Sequence, residues 1–528
     1  MLQRWPREAG RPLRRGDVTL YDRLAVIFIV LQALLLWCGL SRMPLAPALG
    51  DELIINDPAV SLSRGGALVA PSLGGSVVGL DKLYAHFPPV YIFLEAGMLK
   101  ILGISATSLR ALSVISLTLG TLTFAATLRL LLLQQFLSAR LAAFGVALFC
   151  LEPDTIALSR FARMDPTVLL FALLAFLFVL RSHLATNLRT TLVTVGMLCA
   201  GLSLATHLEG VIAILPALIL ALANPDLRGT LKRLPLLLIP FIVLAFIWGI
   251  TYRGGSVAAL QQMSRIARDY TPGPGVSDPI LNGLHAGTGA AFRSSGLALI
   301  LYCSLAWLVT LLSAMAYHLR TRKGLPVYLF LTFVGCAVLE PLLLIFVFPA
   351  SITRWFVVFP FALMGAAIVT GGIERRRAML WAVIAPLLAS EIIGLGFYFN
   401  ALFKQWSRRT PDRFEVIGQR VDSSDKILAE GQFWLTLERS PHHVTVLYPE
   451  LGATTEWLLT SGCNRIAPFD VVILNEGNPD FVPLATEARK GRSDWSGHVA
   501  GEVVHVFRAS PRKRTGSQDA GNSEAACP

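Results

Sequence analysis

Long apolar runs separated by short polar, arginine-bearing segments set the pattern of the chain from residue 24 to residue 400. Runs of spanning length lie at Leu24–Leu40, Ala111–Leu128, Leu141–Ala157, Pro166–Leu180, Thr190–Ala205, Val211–Ala223 and Leu234–Ile250. Four more follow at Gly296–Tyr317, Pro326–Phe348, Trp355–Gly372 and Ala378–Phe399. A helix of about 20 apolar residues crosses the ~30 Å hydrocarbon layer of a bilayer. The pattern therefore predicts an all-α polytopic membrane domain of about eleven transmembrane helices.

One further segment, Phe87–Gly103, is apolar but opens with Pro88-Pro89 and carries Glu95 and Lys100. Each charge at mid-bilayer costs about 2.5–3.5 kcal/mol, so an amphipathic helix lying at the interface is the cheaper arrangement. The distribution of basic residues tests this choice. With eleven spans, thirteen Lys and Arg fall in the short inside loops, from Arg129 to Arg377, against Arg160, Arg163 and Arg354 in the short outside loops. That bias places the N-terminus on the cytoplasmic side.

Past the last span the pattern changes. Lys426–Glu430, Val444–Tyr448, Val471–Leu474 and Val503–Phe507 read as short strands among polar and helical stretches, which predicts a small C-terminal α/β domain. The expected layout is a basic cytoplasmic N-terminus over 1–23, a membrane domain over 24–400, an extracytoplasmic α/β domain over 404–510 and a disordered polar tail over 511–528. Arginines ahead of Leu24–Leu40 resemble a signal sequence. Arg42 and Pro44 stand between that run and the small residues Ala46-Pro47-Ala48, which favours an uncleaved anchor.

Composition agrees with a membrane protein: 54% hydrophobic residues, 15% charged and a mean hydropathy of +0.60. The net charge of +12 follows from arginines at helix ends and needs no nucleic acid. The seven cysteines show neither a disulfide framework nor zinc-ligand spacing.

The candidate chemistry lies in the outward loops. Asp51-Glu52 follows the first span, and Gly50-Asp51-Glu52-Leu53 reads equally as the start of a short helix. Asp165 lies in the outward loop Ser159–Asp165, where Pro166 makes it also a natural helix N-cap. His86, Arg110, Arg160, Arg163, His207 and Arg354 are outward basic or imidazole groups that could hold a phosphate if they converge, or anchor lipid headgroups if they do not. Glu209, two residues past His207, reads equally as a locally paired carboxylate. A divalent cation held by Asp51 and Asp165 suits oxygen ligands, although no compact metal motif is present.

Asp51-Glu52, Ala85-His86-Phe87-Pro88-Pro89-Val90-Tyr91, Leu109–Ser113, Ser159–Asp165, Thr206–Gly210 and Arg354-Trp355 form an ordered series. In this series the chain resembles the GT-C fold glycosyltransferases. The resemblance is to the branch of protein O-mannosyltransferases, lipid A aminoarabinose transferases and rhizobial galacturonic acid transferases, and is glycosyltransferase family 39-like. It implies a polyprenyl-phosphate-sugar donor and inverting transfer of a hexosyl or pentosyl group on the non-cytoplasmic face. The acceptor would be an envelope lipid, glycan or protein, and the location a bacterial inner membrane. By the same resemblance Asp51 is the catalytic aspartate and Asp165 the second acidic residue. His86, Arg163, His207 and Arg354 would approach the donor phosphate, with Glu52, Arg110, Arg160 and Glu209 as secondary candidates. Where some relatives carry a lysine at the phosphate position, this chain has His86-Phe87-Pro88-Pro89. The alternatives are an O-antigen ligase or polymerase, and a transporter or flippase of a lipid-linked substrate.

Overall fold

The computed structural model describes residues 15–38, 51–73, 80–134, 136–184, 188–222, 234–253 and 255–269. In the C-terminal part it describes 415–422, 424–430, 433–438, 443–447, 469–477, 481–490, 492–499 and 502–509, with isolated positions at 40, 360–361, 363–364, 392–393, 395–396 and 400. The spans expected between Gly296 and Phe399, the tail over 511–528 and Arg354 lie outside the described residues, apart from those isolated positions. The chain divides into two units: Met1–Cys38, Phe87–Tyr91 and Arg110–Ala401 form the first, and Gly39–His86, Ile92–Leu109 and Leu402–Pro528 the second.

The first unit is helical. Among the described residues five helices are long and apolar enough to cross a membrane: Gly16–Trp37, Ala106–Leu133, Asp165–His183, Arg189–Thr206 and Leu234–Thr251. Two shorter apolar helices, Ala139–Leu151 and Gly210–Leu222, fall on two further runs, and the run expected to continue from Leu141 to Ala157 is instead broken at Glu152, ahead of a separate helix Pro153–Ser159. We label the helices α1 (Arg15–Trp37), α2 (Asp51–Ser63), α3 (Val90–Leu102), α4 (Ala106–Leu133), α5 (Ala139–Leu151), α6 (Pro153–Ser159), α7 (Asp165–Leu184), α8 (Arg189–Thr206) and α9 (Gly210–Leu222).

Several polar side chains inside this bundle are paired with one another or with backbone, as a low-dielectric interior favours. Thr121 Oγ1 of α4 donates to Gln32 Oε1 of α1 at 2.7 Å, and Tyr21 Oη donates to the Ala125 carbonyl at 2.6 Å. Small residues let helices approach. A Cβ on Gly201 of α8 would lie 2.5 Å from the Cβ of Val243, and one on Gly196 would lie 2.8 Å from Val179.

At 13 residues α3 rises about 20 Å, too little to cross the bilayer alone. Its Glu95 is fully buried, whereas Phe93, Leu94, Ile101 and Leu102 are exposed. The helix thus keeps its carboxylate on the protein side and turns apolar residues outward.

The second unit contains α2, most of α3 and a five-stranded sheet. The strands are β1 (Lys426–Glu430), β2 (His443–Leu447), β3 (Val471–Asn475), β4 (Arg492–Val499) and β5 (Glu502–Ala509), in the order β2-β1-β3-β5-β4. β1 pairs in parallel with both β2 and β3, and β5 runs antiparallel to β3 and β4. All five residues of the central β3 are buried, and Leu428, Val472, Leu474 and Phe507 pack with Leu484, Ala485 and Ala488 of the helix Phe481–Ala488. β4 is an edge strand with a mostly polar, partly exposed sequence, which is why hydrophobic patterning misses it.

Candidate active site

In the first unit four of the sequence motifs meet around the N-terminus of α7. The Ser159–Asp165 loop is fastened to α4 by Ser113: its Oγ donates to the Arg163 carbonyl at 2.6 Å and accepts the Arg163 N–H at 3.0 Å. Tyr91 Oη lies 3.2 Å from the same Ser113 Oγ. The Arg110 guanidinium sits 6.0 Å from the centre of the Phe161 ring, a cation–π arrangement. Tyr91, Arg110 with Ser113, and Phe161 with Arg163 belong to three separate motifs of the sequence, so the fold assembles them as one cluster.

Asp165 is the first residue of α7, where the exposed amides and helix dipole favour a negative charge. Its Oδ2 accepts from Arg163 Nε at 2.8 Å, and both side chains are buried, with 6% of Arg163 and 2% of Asp165 exposed. Burying either charge alone would be costly, and pairing them makes both tolerable.

Arg160 is also fully buried, but its guanidinium serves the end of another helix. Nη1 donates to the Leu35 carbonyl at 3.2 Å and Nη2 to the Cys38 carbonyl at 2.6 Å. These groups close the C-terminus of α1, where carbonyls lack helical partners and a cation is favoured.

The fourth motif, Thr206–Gly210, joins through α8. Ser203 Oγ donates to the Val168 carbonyl in the first turn of α7 at 3.0 Å, so His207, one turn beyond Ser203, stands by the α7 N-terminus. Phe87 packs on His207 with ring centres 5.4 Å apart. The Glu209 amide donates to His207 Nδ1 at 3.2 Å, while the Glu209 carboxylate is 3.8 Å from that atom. The shorter contact decides the tautomer, so the neutral ring carries its proton on Nε2. A Cβ on Gly210 would lie 2.7 Å from the Ser203 carbonyl oxygen, which explains the glycine at the tight turn from α8 to α9.

The second unit carries the other acidic candidates. Asp51 is the first residue of α2, and Glu52 beside it is buried. Pro58 interrupts the ladder of this helix, because the Ile54 carbonyl would bond the N–H of residue 58 and proline has none. Tyr84 Oη supplies the substitute, donating to the Ile54 carbonyl at 2.8 Å. His86 is half-buried, its ring 6.4 Å from that of Tyr84 in an edge-on arrangement.

Sequence reasoning missed Asp57 and Ser72. The buried Asp57 carboxylate accepts both the backbone N–H and the hydroxyl of Ser72, each at 2.8 Å. A carboxylate inside a short proline-containing helix was the one available signal. Among the described residues no group of three or more His, Cys, Asp or Glu side chains is placed to hold a metal ion.

The fold that presents these residues is the GT-C fold, as the solved structures it resembles show. Residues 65–225 match the family model of dolichyl-phosphate-mannose-protein mannosyltransferase, a stretch that holds the Phe87–Tyr91, Ser159–Asp165 and Thr206–Gly210 motifs. Among solved structures the chain is similar to apo ArnT from Cupriavidus metallidurans, with 15% identity and a TM-score of 0.57, over 93% of this chain and 99% of that one. The same ArnT bound to undecaprenyl phosphate aligns at 14% identity and a TM-score of 0.56, over 92% of this chain and 99% of that one. An apo oligosaccharyltransferase from Archaeoglobus fulgidus aligns at 12% identity and a TM-score of 0.54, over 91% of this chain and 73% of that one. No curated sequence is similar enough to match the chain.

Proposed function

We propose that the chain is an integral membrane glycosyltransferase that moves a sugar from a polyprenyl-phosphate-linked donor to an envelope lipid, glycan or protein acceptor on the non-cytoplasmic face. The observation that carries this reading is the assembly of the motifs around the α7 N-terminus within a fold that aligns along nearly the whole length of a protein crystallised with undecaprenyl phosphate.

In this reading the Asp51 carboxylate takes the proton of the acceptor hydroxyl as the acceptor oxygen attacks the anomeric carbon. The bond from that carbon to the phosphate oxygen breaks, the electron pair leaves with the polyprenyl phosphate, and the anomeric configuration inverts. The departing phosphate needs positive partners held in place before the reaction. Arg163 and Arg354 supply that charge and His86 and His207 offer hydrogen bonds beside it, with Asp165 orienting Arg163 through its Nε hydrogen bond. Arg110, Glu52 and Glu209 support the site, and Arg160 contributes by fixing the loop between α6 and α7 to the end of α1.

Membranes containing the native chain should transfer labelled sugar from polyprenyl-phosphate donors to endogenous acceptors. Asp51→Asn at matched expression should lose the product. Equal product from both would remove Asp51 from the catalytic role.

A further inference from the structure

The C-terminal sheet reaches the first outward loop through one buried hydrogen-bonded relay. Trp434 opens the short helix Trp434–Glu438 that crosses from β1 to β2, and its indole Nε1–H donates to Ser72 Oγ at 2.9 Å. Ser72, in the 3-10 turn Pro71–Leu73, donates its own hydroxyl hydrogen bond to Asp57 Oδ1 at 2.8 Å, while its amide donates to Asp57 Oδ2 at 2.8 Å. Asp57, Ser72 and Trp434 are 2%, 1% and 1% exposed, so the relay runs where hydrogen bonds are strong and water does not compete.

This relay acts on a helix that needs an external hold. Pro58 removes one rung of the α2 ladder beside Asp57, and a helix missing a rung bends unless something else fixes both sides of the gap. Tyr84 fixes the Ile54 side and the Ser72–Trp434 pair fixes the Asp57 side. Asp51 lies six residues before Asp57, about 9 Å along the same helix axis. A tilt of the helix at the proline therefore displaces Asp51, and displacements near 1 Å are enough to slow a reaction that depends on alignment.

We propose that Trp434 is a positioning residue for the transfer reaction: through Ser72 and Asp57 it holds α2, and with it Asp51, in working geometry. The proposal rests on the reading of Asp51 as the catalytic carboxylate. It gives the C-terminal domain a part in catalysis without placing any of its residues against the substrate.

The test compares full-length native protein with Trp434→Phe, which keeps an aromatic ring but removes the donor together with part of the indole's volume, and with Ser72→Ala, which breaks the relay while leaving the indole packed. Two readouts are taken on folded protein: hydrogen exchange of the amides in Asp51–Ser63, and steady-state transfer. Each variant should raise exchange in α2 and lower kcat with donor KM unchanged: Trp434→Phe, which loses one buried hydrogen bond, by about five- to tenfold, and Ser72→Ala, which loses both bonds of the Ser72 hydroxyl, by more. The double variant should show no further loss beyond Ser72→Ala, because both changes break the same relay. Native exchange in α2 would overturn the proposal, and so would raised exchange with native kcat. Asp51→Asn run in parallel tests the underlying reading by itself: full activity there refutes the role of Asp51, while the exchange data still decide whether Trp434 braces the helix.

Discussion

Arg163 and Asp165 show how much a single buried pair can constrain. With both side chains nearly free of solvent, removing the arginine leaves a carboxylate in low dielectric without its cation. Arg163→Ala should therefore lower stability by about 3–5 kcal/mol, and replacing both residues with alanine should cost less than the single change. Unfolding of purified variants in denaturant checks this, and a double variant worse than Arg163→Ala would contradict it. Tyr84 offers a second case at the same scale. Tyr84→Phe strands the Ile54 carbonyl and should cost about 1–3 kcal/mol. Pro58→Ala restores an N–H at that position, so the Tyr84→Phe penalty should shrink in its background, a coupling that a double-mutant cycle on thermal unfolding measures directly.

Helix packing depends on residues that the hydrophobic pattern treats as neutral. α8 meets the helix Ile239–Thr251 where Val243 lies over Gly201, and the space for a side chain there is absent. Gly201→Ala should destabilise the protein by about 1–3 kcal/mol, read as a lower midpoint of unfolding, whereas the same change at Gly97, with nothing within 4 Å of its Cβ position, should not. The helices of the first seven apolar runs were legible in the sequence because runs such as Leu234–Ile250 and Pro166–Leu180 are apolar on all sides, and the helix start at Asp51 was legible from its acidic residues. β4 was not, since an edge strand with solvent on one side has no reason to carry a hydrophobic repeat. The Ser159–Asp165 candidates were found by residue type, but the sequence could not separate Arg160, which closes the end of α1, from Arg163, which faces Asp165. Two arginines three residues apart look alike until helix ends are placed in space. The Trp434–Ser72 contact was beyond reach for a similar reason: its partners are 362 residues apart and neither belongs to a recognisable pattern.

For the whole molecule, sidedness is the property on which the proposed reaction depends. The basic-residue bias predicts that the segment before α1 lies in the cytoplasm and that α2 and the C-terminal sheet lie outside. Single cysteines introduced at exposed positions such as Arg64 and Lys490, in a background cleared of native cysteines, should react with a membrane-impermeant thiol reagent added to intact cells. One introduced at Arg7 should react only after lysis. The reverse pattern would put the acidic loop on the wrong face for the proposed reaction.

The proposed reaction breaks a sugar–phosphate bond, whereas a transporter would carry the lipid-linked sugar intact across the membrane. Purified protein in liposomes, given a polyprenyl-phosphate sugar labelled in both the sugar and the lipid and a mixture of envelope acceptors, separates these directly. Glycosyl transfer should move the sugar label to an acceptor while free polyprenyl phosphate appears in equal amount, and Asp51→Asn should stop both. Movement of the intact doubly labelled donor between leaflets, with no polyprenyl phosphate released, would contradict it.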